Sequence, residues 1–386
     1  MEEYDKIEIQ QICSNICSGG TPKSTVAEYY GGNIPWLNTK EINFCRIYKT
    51  EKTITDEGFN NSSAKWIPAN SVIVAMYGAT AGKTAITRIP LTTNQACCNL
   101  TIDSTKADYR FAYYALCNDY AFLSSLANGG AQQNLNTQQI KEFEIPFPSL
   151  REQKRIADIL SSLDDKIELN RRINDNLEQQ AQALFKDWCD GCTETVEIGQ
   201  IATNVLDYTP NRNKQVRLIN SSDITEGIFG EYPLVENINL KGHFKKRFKK
   251  GDILYSEIRP RNHHYGYVLF DGDEYVISTR LMVIRNIPNM VSAPVLYQYL
   301  LLPEVEEHFV LKTESRSGTF PQGSYTDLAT IRVPFAREQN NITNSLDKIR
   351  QKIYSSQREN HYLTALRDAL LPKLMSGELK IDKVEM

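Results

Sequence analysis

The chain has 386 residues, 41% of them hydrophobic and 10% aromatic, a composition that suits two or three globular domains and excludes a disordered chain. Its 44 Lys and Arg against 47 Asp and Glu leave a net charge of −3, which excludes a uniformly basic nucleic-acid coat but not a local basic face. No apolar run reaches the roughly 18–20 residues of a membrane span, so no membrane partner is expected. The opening MEEYDKIEIQQ is too acidic for a secretory leader. Eight cysteines then read as reduced thiols in a cytoplasm.

Residues 1–147 read as a first globular part of mixed α/β character. Ile34–Leu37 and Ser71–Tyr77 are short, apolar and bounded by Pro, Gly or Asn, as strands are. Phe111 to Leu126 reads as a helix stopped by Asn128-Gly129-Gly130. Residues 148–192 then begin PSLREQKRIADIL and run into a long apolar-periodic stretch.

Residues 193–333 repeat the first order of elements. Val216–Asn220 stands where Ile34–Asn38 stands, Gly251–Tyr255 where Asn70–Val74 stands, and Leu296–Leu300 where Ala112–Leu116 stands. Residues 334–386 begin PFAREQNNITNSL, so Arg-Glu-Gln recurs at 337–339 after its first use at 151–153. A duplication on this scale decides the architecture. The expected fold class is α+β: two similar mixed α/β domains, each followed by a long helix, the two helices pairing as an antiparallel coiled coil.

The helices carry apolar seams of period 3.5. In the first, Leu160, Leu163, Ile167, Leu177 and Leu184 are the expected interface; in the second, Leu346, Ile349, Ile353, Leu363 and Leu370. Both seams are interrupted by polar residues at matching places, Asn170/Asn174 and Ser356/Asn360, and such residues fix register at a cost in stability. A stretch over 151–188 would be about 57 Å long at roughly 1.5 Å per residue. That is more than one small domain covers, so the helices are expected to pair and hold the globular parts apart.

Three motifs look chemical. Gly78-Ala-Thr-Ala-Gly82-Lys83-Thr84 follows an apolar strand but has three residues between its glycines where a phosphate loop needs four. Cys189-Asp-Gly-Cys192 ends a long helix, whereas a redox pair needs a helix after it, and a zinc half-site needs a second pair of its spacing. No second pair has that spacing; Cys13 and Cys17, one residue further apart, are the candidate to complete the site, and a helix C-terminus turned by Gly191 is the simpler reading. His263-His264 has no acid at helical ligand spacing. No nucleophile, base and orienter come together, so no catalytic residue and no metal site is expected.

Nucleic acid has better candidates. Lys245, Lys246 and Arg247 sit among aromatics, and Arg259, Arg261, His263 and Arg280 follow; two basic clusters in a chain of negative net charge point to a phosphate-binding surface. The first half offers Thr21, Lys23, Tyr77, Thr80 and Lys83, with the amides of Gln132, Gln133 and Asn134 suited to adenine edges. The matching loop in the second half carries Arg316 and Thr319, polar but different, as two domains reading different sequences would be.

On Ile145-Pro-Phe-Pro-Ser-Leu-Arg-Glu-Gln153, the helix to Phe185-Lys-Asp-Trp188, the second Arg-Glu-Gln helix to Leu371-Pro-Lys-Leu374, and Ile34-Pro-Trp-Leu-Asn38, the whole chain resembles a specificity subunit of a type I restriction-modification system. The resemblance implies two target recognition domains, 1–147 and 193–333, each reading one half of a split double-stranded DNA site. It implies spacer helices at 148–192 and 334–386, docked methyltransferase subunits, and restriction subunits joining them. It also implies a non-catalytic chain that binds no cofactor, with S-adenosylmethionine, ATP and Mg2+ belonging to the partner subunits. Asp164-Asp165 stands in the first helix where Arg350-Gln351 stands in the second, a departure from repeat symmetry that leaves equivalent docking on both helices unassured. Two alternatives from other classes remain: a nucleotide-dependent enzyme using the 78–84 loop, and a coiled-coil scaffold that binds no DNA.

Overall fold

The structure, a computed structural model, describes residues 4–128, 134–316 and 321–379. Its contacts form two units, one from the residues up to Lys166 together with those from Leu363 onward, the other Ile167–Tyr362. The division falls inside both long helices, so each unit contains a globular part and a stretch of each helix.

The globular part of the first unit is built on a five-stranded sheet in the order Cys13–Ser18, Cys97–Ile102, Val72–Ala75, Thr84–Thr87, Cys45–Ile47. A three-stranded sheet, with Tyr30–Leu37 between Lys52–Ile54 and Thr92–Thr93, accompanies it. Lys6–Glu8 pairs with Glu144–Pro146 and closes the globular part just before the long helix. The strand Val72–Ala75 is buried at all four positions, which explains its unbroken run of Val-Ile-Val-Ala. Cys97 and Cys98 are fully buried in their strand, as small hydrophobes.

The second unit repeats this frame. Ala202–Asn204, Leu281–Asn286, Ile253–Ser256 and Tyr265–Tyr267 form one sheet. In the second sheet Gln215–Ile219 pairs in parallel with Tyr275–Ser278, as Tyr30–Leu37 pairs with Thr92–Thr93. Glu194–Glu197 pairs with Arg332–Phe335, matching the closing pair of the first unit. The expected single helix from Phe111 to Leu126 is two, Tyr109–Asn118 and Tyr120–Ser125. Asp119 caps the first and breaks the run with ψ of 17°.

The long helices are α1 (Leu150–Asp190) and α2 (Asn340–Met375). The repeated Arg-Glu-Gln anchors each to its own globular part through the glutamine. Gln153 is fully buried; its amide donates to the Pro148 carbonyl at 2.9 Å and its oxygen accepts the Asp108 N–H at 3.1 Å. Gln339 likewise donates to the carbonyls of Ala336, at 2.8 Å, and Met290, at 3.1 Å. Arg151, Arg337 and Glu338 are exposed.

Both helices dock and pair. In the first unit Ile156, Ala157 and Leu160 of α1 join the core that contains Leu374 and Met375 of α2 and the Phe111–Leu116 face. In the second unit Ala181 and Phe185 of α1 share one core with Ile342 and Leu346 of α2. Pairing is antiparallel: Asn170 meets Asn360, while Glu178, further along α1, meets Arg350, further back along α2. Leu160, Ile167, Leu346 and Ile353 are buried as expected, and Leu163, Leu177, Ile349, Leu363 and Leu370 are half-buried.

Leu184 is the exception: it is 44% exposed, and Phe185 is buried in its place. A straight α-helix turns every 3.6 residues, so a 3.5-residue seam drifts by roughly 20° per heptad. Four heptads on from Ile156 the drift is about 80°, close to the roughly 100° step of one residue, so the inward position has moved on from Leu184 to Phe185. Phe185 then packs edge-on against Tyr299 at 5.0 Å and stacks on Trp188 at 5.7 Å.

Candidate nucleic-acid interface

The two globular parts share one turn and fill it differently. In the first, Met76 donates its N–H to the Ala96 carbonyl at 2.8 Å and accepts from the Leu135 N–H at 2.7 Å, and Tyr77 bridges to Asn134. In the second, Glu257 donates to the Arg280 carbonyl at 2.9 Å and accepts from Gly323 at 2.8 Å, and Ile258 bridges to Gln322. The chain then makes a 3-10 turn, Gly78–Thr80 in one part and Pro260–Asn262 in the other.

Around each turn two residues, at matching positions of the two parts, have left-handed φ. They are Gly78 (φ +70°) and Gly82 (φ +84°) in the first part, and Arg259 (φ +47°) and His263 (φ +54°) in the second. Glycine adopts this conformation freely, whereas an L side chain costs about 1–2 kcal/mol there. The second part therefore holds two bulky polar residues, one of them cationic, at positions where backbone geometry alone favours glycine. Strain of this kind concentrates at binding sites.

The side chains sort as follows. Lys245, Arg259, Arg261 and Arg280 are exposed, and the backbone bonds above bring Arg259 and Arg280 to one edge. Arg247 is half-buried beside Asp273, at 3.8 Å. Arg261 is held by both oxygens of Glu314, at 2.6 and 3.0 Å, and His263 lies 3.3 Å from Glu306. Contact with a phosphate would have to displace these acids. The side chain of Arg316, with Thr319, lies outside the described residues.

Lys246 does not belong to such a surface. It is 2% exposed, donates to the Leu281 carbonyl at 2.8 Å and lies 3.8 Å from Glu257. In the strand Phe244–Lys246 neighbouring side chains point to opposite faces, so the lysine after exposed Lys245 goes inward. Burial lowers the Lys246 pKa and raises that of Glu257, each offset in part by the other's charge.

In the first part Thr21, Lys23 and Tyr77 are exposed. The Thr21 hydroxyl is hydrogen-bonded to Gln95, and Thr80 is half-buried over its own turn. Lys83 donates to the Asn43 side-chain oxygen at 2.8 Å and lies 5.9 Å from the centroid of the Phe44 ring. Gln132 and Gln133 lie outside the described residues; Asn134 is exposed at the bridge to Tyr77. Glu257 and Gln95 escaped the sequence reading, since only strand register reveals that they border the turns.

The phosphate-loop geometry is absent from the 78–84 segment. The Ala81, Gly82 and Lys83 N–H groups are donated to the carbonyls of Gly78, Ala75 and Thr80, and a strand follows where a helix would be needed. The Cys189 thiol is pushed up to about 12 by burial, opposite to the low value that disulfide exchange requires. Cys192 is raised by burial as well, and its thiol caps the Trp188 carbonyl at 3.4 Å. Cys13, the proposed completion of a zinc site, is likewise pushed up to about 12 by burial.

Comparison with known proteins assigns the frame. The family model for the type I restriction modification DNA specificity domain matches residues 1–179 and again 194–365. The MjaIX specificity subunit of Methanocaldococcus jannaschii is 24% identical, over 99% of this chain and 95% of its own. The HindI specificity subunit of Haemophilus influenzae is 35% identical over 48% of this chain and 40% of its own. In fold, the chain is similar to the S subunit of a type I restriction-modification system from M. genitalium, with a TM-score of 0.60, 20% identity and 96% of each chain covered. With two copies of the domain spanning nearly its whole length, the chain belongs to the type I restriction-modification DNA specificity family.

Proposed function

We propose that this chain is the DNA-reading, non-catalytic subunit of a type I restriction-modification complex. Each globular part reads one half of a split double-stranded site, and α1 and α2 carry the docking surface for methyltransferase subunits, which restriction subunits join. S-adenosylmethionine would act in the methyltransferase subunits, and ATP with Mg2+ in the restriction subunits, all in the cytoplasm. Among the described residues no helix is long and apolar enough to cross a membrane.

The observation that carries this reading is the shared turn: one hydrogen-bond frame, with glycine at the left-handed positions of one part and Arg259 and His263 at those of the other. A fixed frame with exchangeable, locally strained side chains is what two readers of different sequences require. Arg259 and Arg280 are the leading contacts of the second part, and Tyr77, Lys23 and Asn134 those of the first. The 78–84 loop, with the Ala81, Gly82 and Lys83 N–H groups already used and a strand after it, does not favour a nucleotide-dependent enzyme.

The test uses the complex with its methyltransferase subunits. Mapping methylated adenines should return a two-part site with a fixed gap. Arg259→Ala should lower affinity for that site. Tolerance of altered bases in one half alone would mark a base contact, whereas uniform weakening with a shallower salt dependence would mark a phosphate contact. Undiminished affinity and specificity, or a continuous target, would overturn the reading.

A further inference from the structure

Among the described residues the ion pairs Asp164–Arg367 and Glu178–Arg350 join α1 to α2, and they are not equivalent under the repeat. In the first unit Asp164 of α1 accepts from Arg367 of α2 at 2.8 Å and also from the Tyr114 hydroxyl at 2.6 Å. In the second unit Arg350 of α2 donates to both oxygens of Glu178 of α1, one of them at 2.7 Å, with its guanidinium 4.9 Å from the centroid of the Tyr297 ring. Both pairs are largely shielded: the Asp164 and Arg367 side chains are 16% and 25% exposed, those of Arg350 and Glu178 5% and 31%.

Superposing the repeats on Gln153 and Gln339 places Asp164 on Arg350, Glu178 on Thr364 and Ala181 on Arg367. In an α1–α1 pair of the same register, Asp164 would therefore face Glu178, twice by symmetry. In an α2–α2 pair, Arg350 would face Arg367, also twice. Only the mixed pair joins opposite charges at both places. The polar interruption does not discriminate in this way, because Asn170 facing Asn174, or Ser356 facing Asn360, leaves it polar and uncharged.

We propose that these four side chains make helix pairing selective, so that α1 accepts α2 and rejects the corresponding helix of a second copy of this chain. The frame is duplicated and would otherwise let two copies exchange like halves. Such exchange would produce assemblies with two identical readers in place of two different ones. Like charges held together in a shielded contact are the repulsive element that partner choice between similar helices requires.

The experiment uses the full chain with a protease site inserted between Cys192 and Thr193, just beyond α1. The folded chain is cut, taken through a cycle of urea and dilution, and its assemblies are weighed by native mass spectrometry. Wild type should return only the one-to-one pair of its two fragments. Glu178→Arg with Arg350→Glu keeps an opposite-charge pair in the mixed assembly but makes both like pairings attractive, so homodimers of each fragment should appear. Asp164→Arg with Arg367→Asp makes the same exchange at the other site. It serves as an independent variant should burial under Tyr297 prevent the first from folding, which a thermal melt of the uncut chain detects. Homodimers from wild type, or their absence from every folded swap, would overturn the proposal.

Discussion

Asn170 donates its side-chain amide to the Asn360 side-chain oxygen at 2.9 Å, so the polar interruption of α1 lands on that of α2. Asn170 also donates to Glu359 at 2.8 Å, and Asn360 donates back to the Ile167 carbonyl at 3.3 Å. Asn170 is 2% exposed. A shifted register would bury these amides against apolar seam residues, which is how a polar seam residue fixes alignment.

Asn170→Ala should therefore cost about 1–3 kcal/mol, the loss expected when a buried polar partner is removed. The double variant Asn170→Leu, Asn360→Leu should recover most of that loss, because both polar groups leave together. Urea titrations of the single and double variants check this; losses that simply add would contradict it.

Arg350→Ala should be among the most damaging single changes on α2. It removes the guanidinium from the Tyr297 ring and leaves Glu178 in a shielded site without it. Breaking a buried pair from one side costs about 3 kcal/mol. Arg350→Met with Glu178→Leu should lie much closer to wild type in a denaturant midpoint. Equal loss in both variants would show that the ion pair contributes little.

Opposite outcomes are expected at the two matching turn positions. Gly78→Ala forces a side chain to φ +70° and should destabilise by about 1 kcal/mol, although no heavy atom lies near a Cβ placed there. Arg259→Gly relieves the same conformation and should leave stability equal or higher, while weakening DNA binding. Thermal melts and a binding titration separate the two effects. A destabilised Arg259→Gly chain would mean that the arginine serves the fold.

Adjacent lysines should behave differently in DNA binding. Lys245→Ala should reduce the slope of log affinity against log salt by about 1, the value for one lost phosphate contact. Lys246→Met should leave that slope unchanged, since its ammonium is buried against the Leu281 carbonyl. Equal slopes for both variants would place Lys245 off the DNA.

Alkaline pH should destabilise the chain. Burial pushes the Cys98 and Cys117 thiols from an ordinary value of 9 up to about 12. Above pH 9 the unfolded chain loses these protons while the folded chain keeps them, so unfolding is favoured as pH rises. Each such thiol steepens the fall by up to about 1.4 kcal/mol per pH unit. Urea midpoints under reducing conditions should be level from pH 7 to 8.5 and fall by pH 10, less so for Cys98→Ala. A level midpoint through pH 10 would refute this.

Much of the frame was legible because it rests on periodicity and repetition, which are properties of the linear chain. Two long helices, their matched polar interruptions and the strand-like runs at 34–37 and 71–77 follow from spacing alone. The site was legible only as composition. Lys245 and Lys246 are indistinguishable in a run of basic residues, and only strand geometry sends one outward and the other beneath Leu281. Arg261 reads as a free cation until the helix Pro303–Arg316 brings Glu314 to it.

The sequence by itself determined that one frame is built twice and that the two helices share a register, because hydrophobic period and the placing of Asn170 and Asn360 act through local geometry. Tertiary structure decided which residue closes the seam, Phe185 in place of Leu184, because the helix stays straight enough for the seam to drift and Phe185 then docks on Tyr299. It alone placed Gly78 and Arg259 in the same left-handed turn position and set opposite charges across the helix pair. Those relationships depend on which residues distant in sequence the fold brings within a few ångströms.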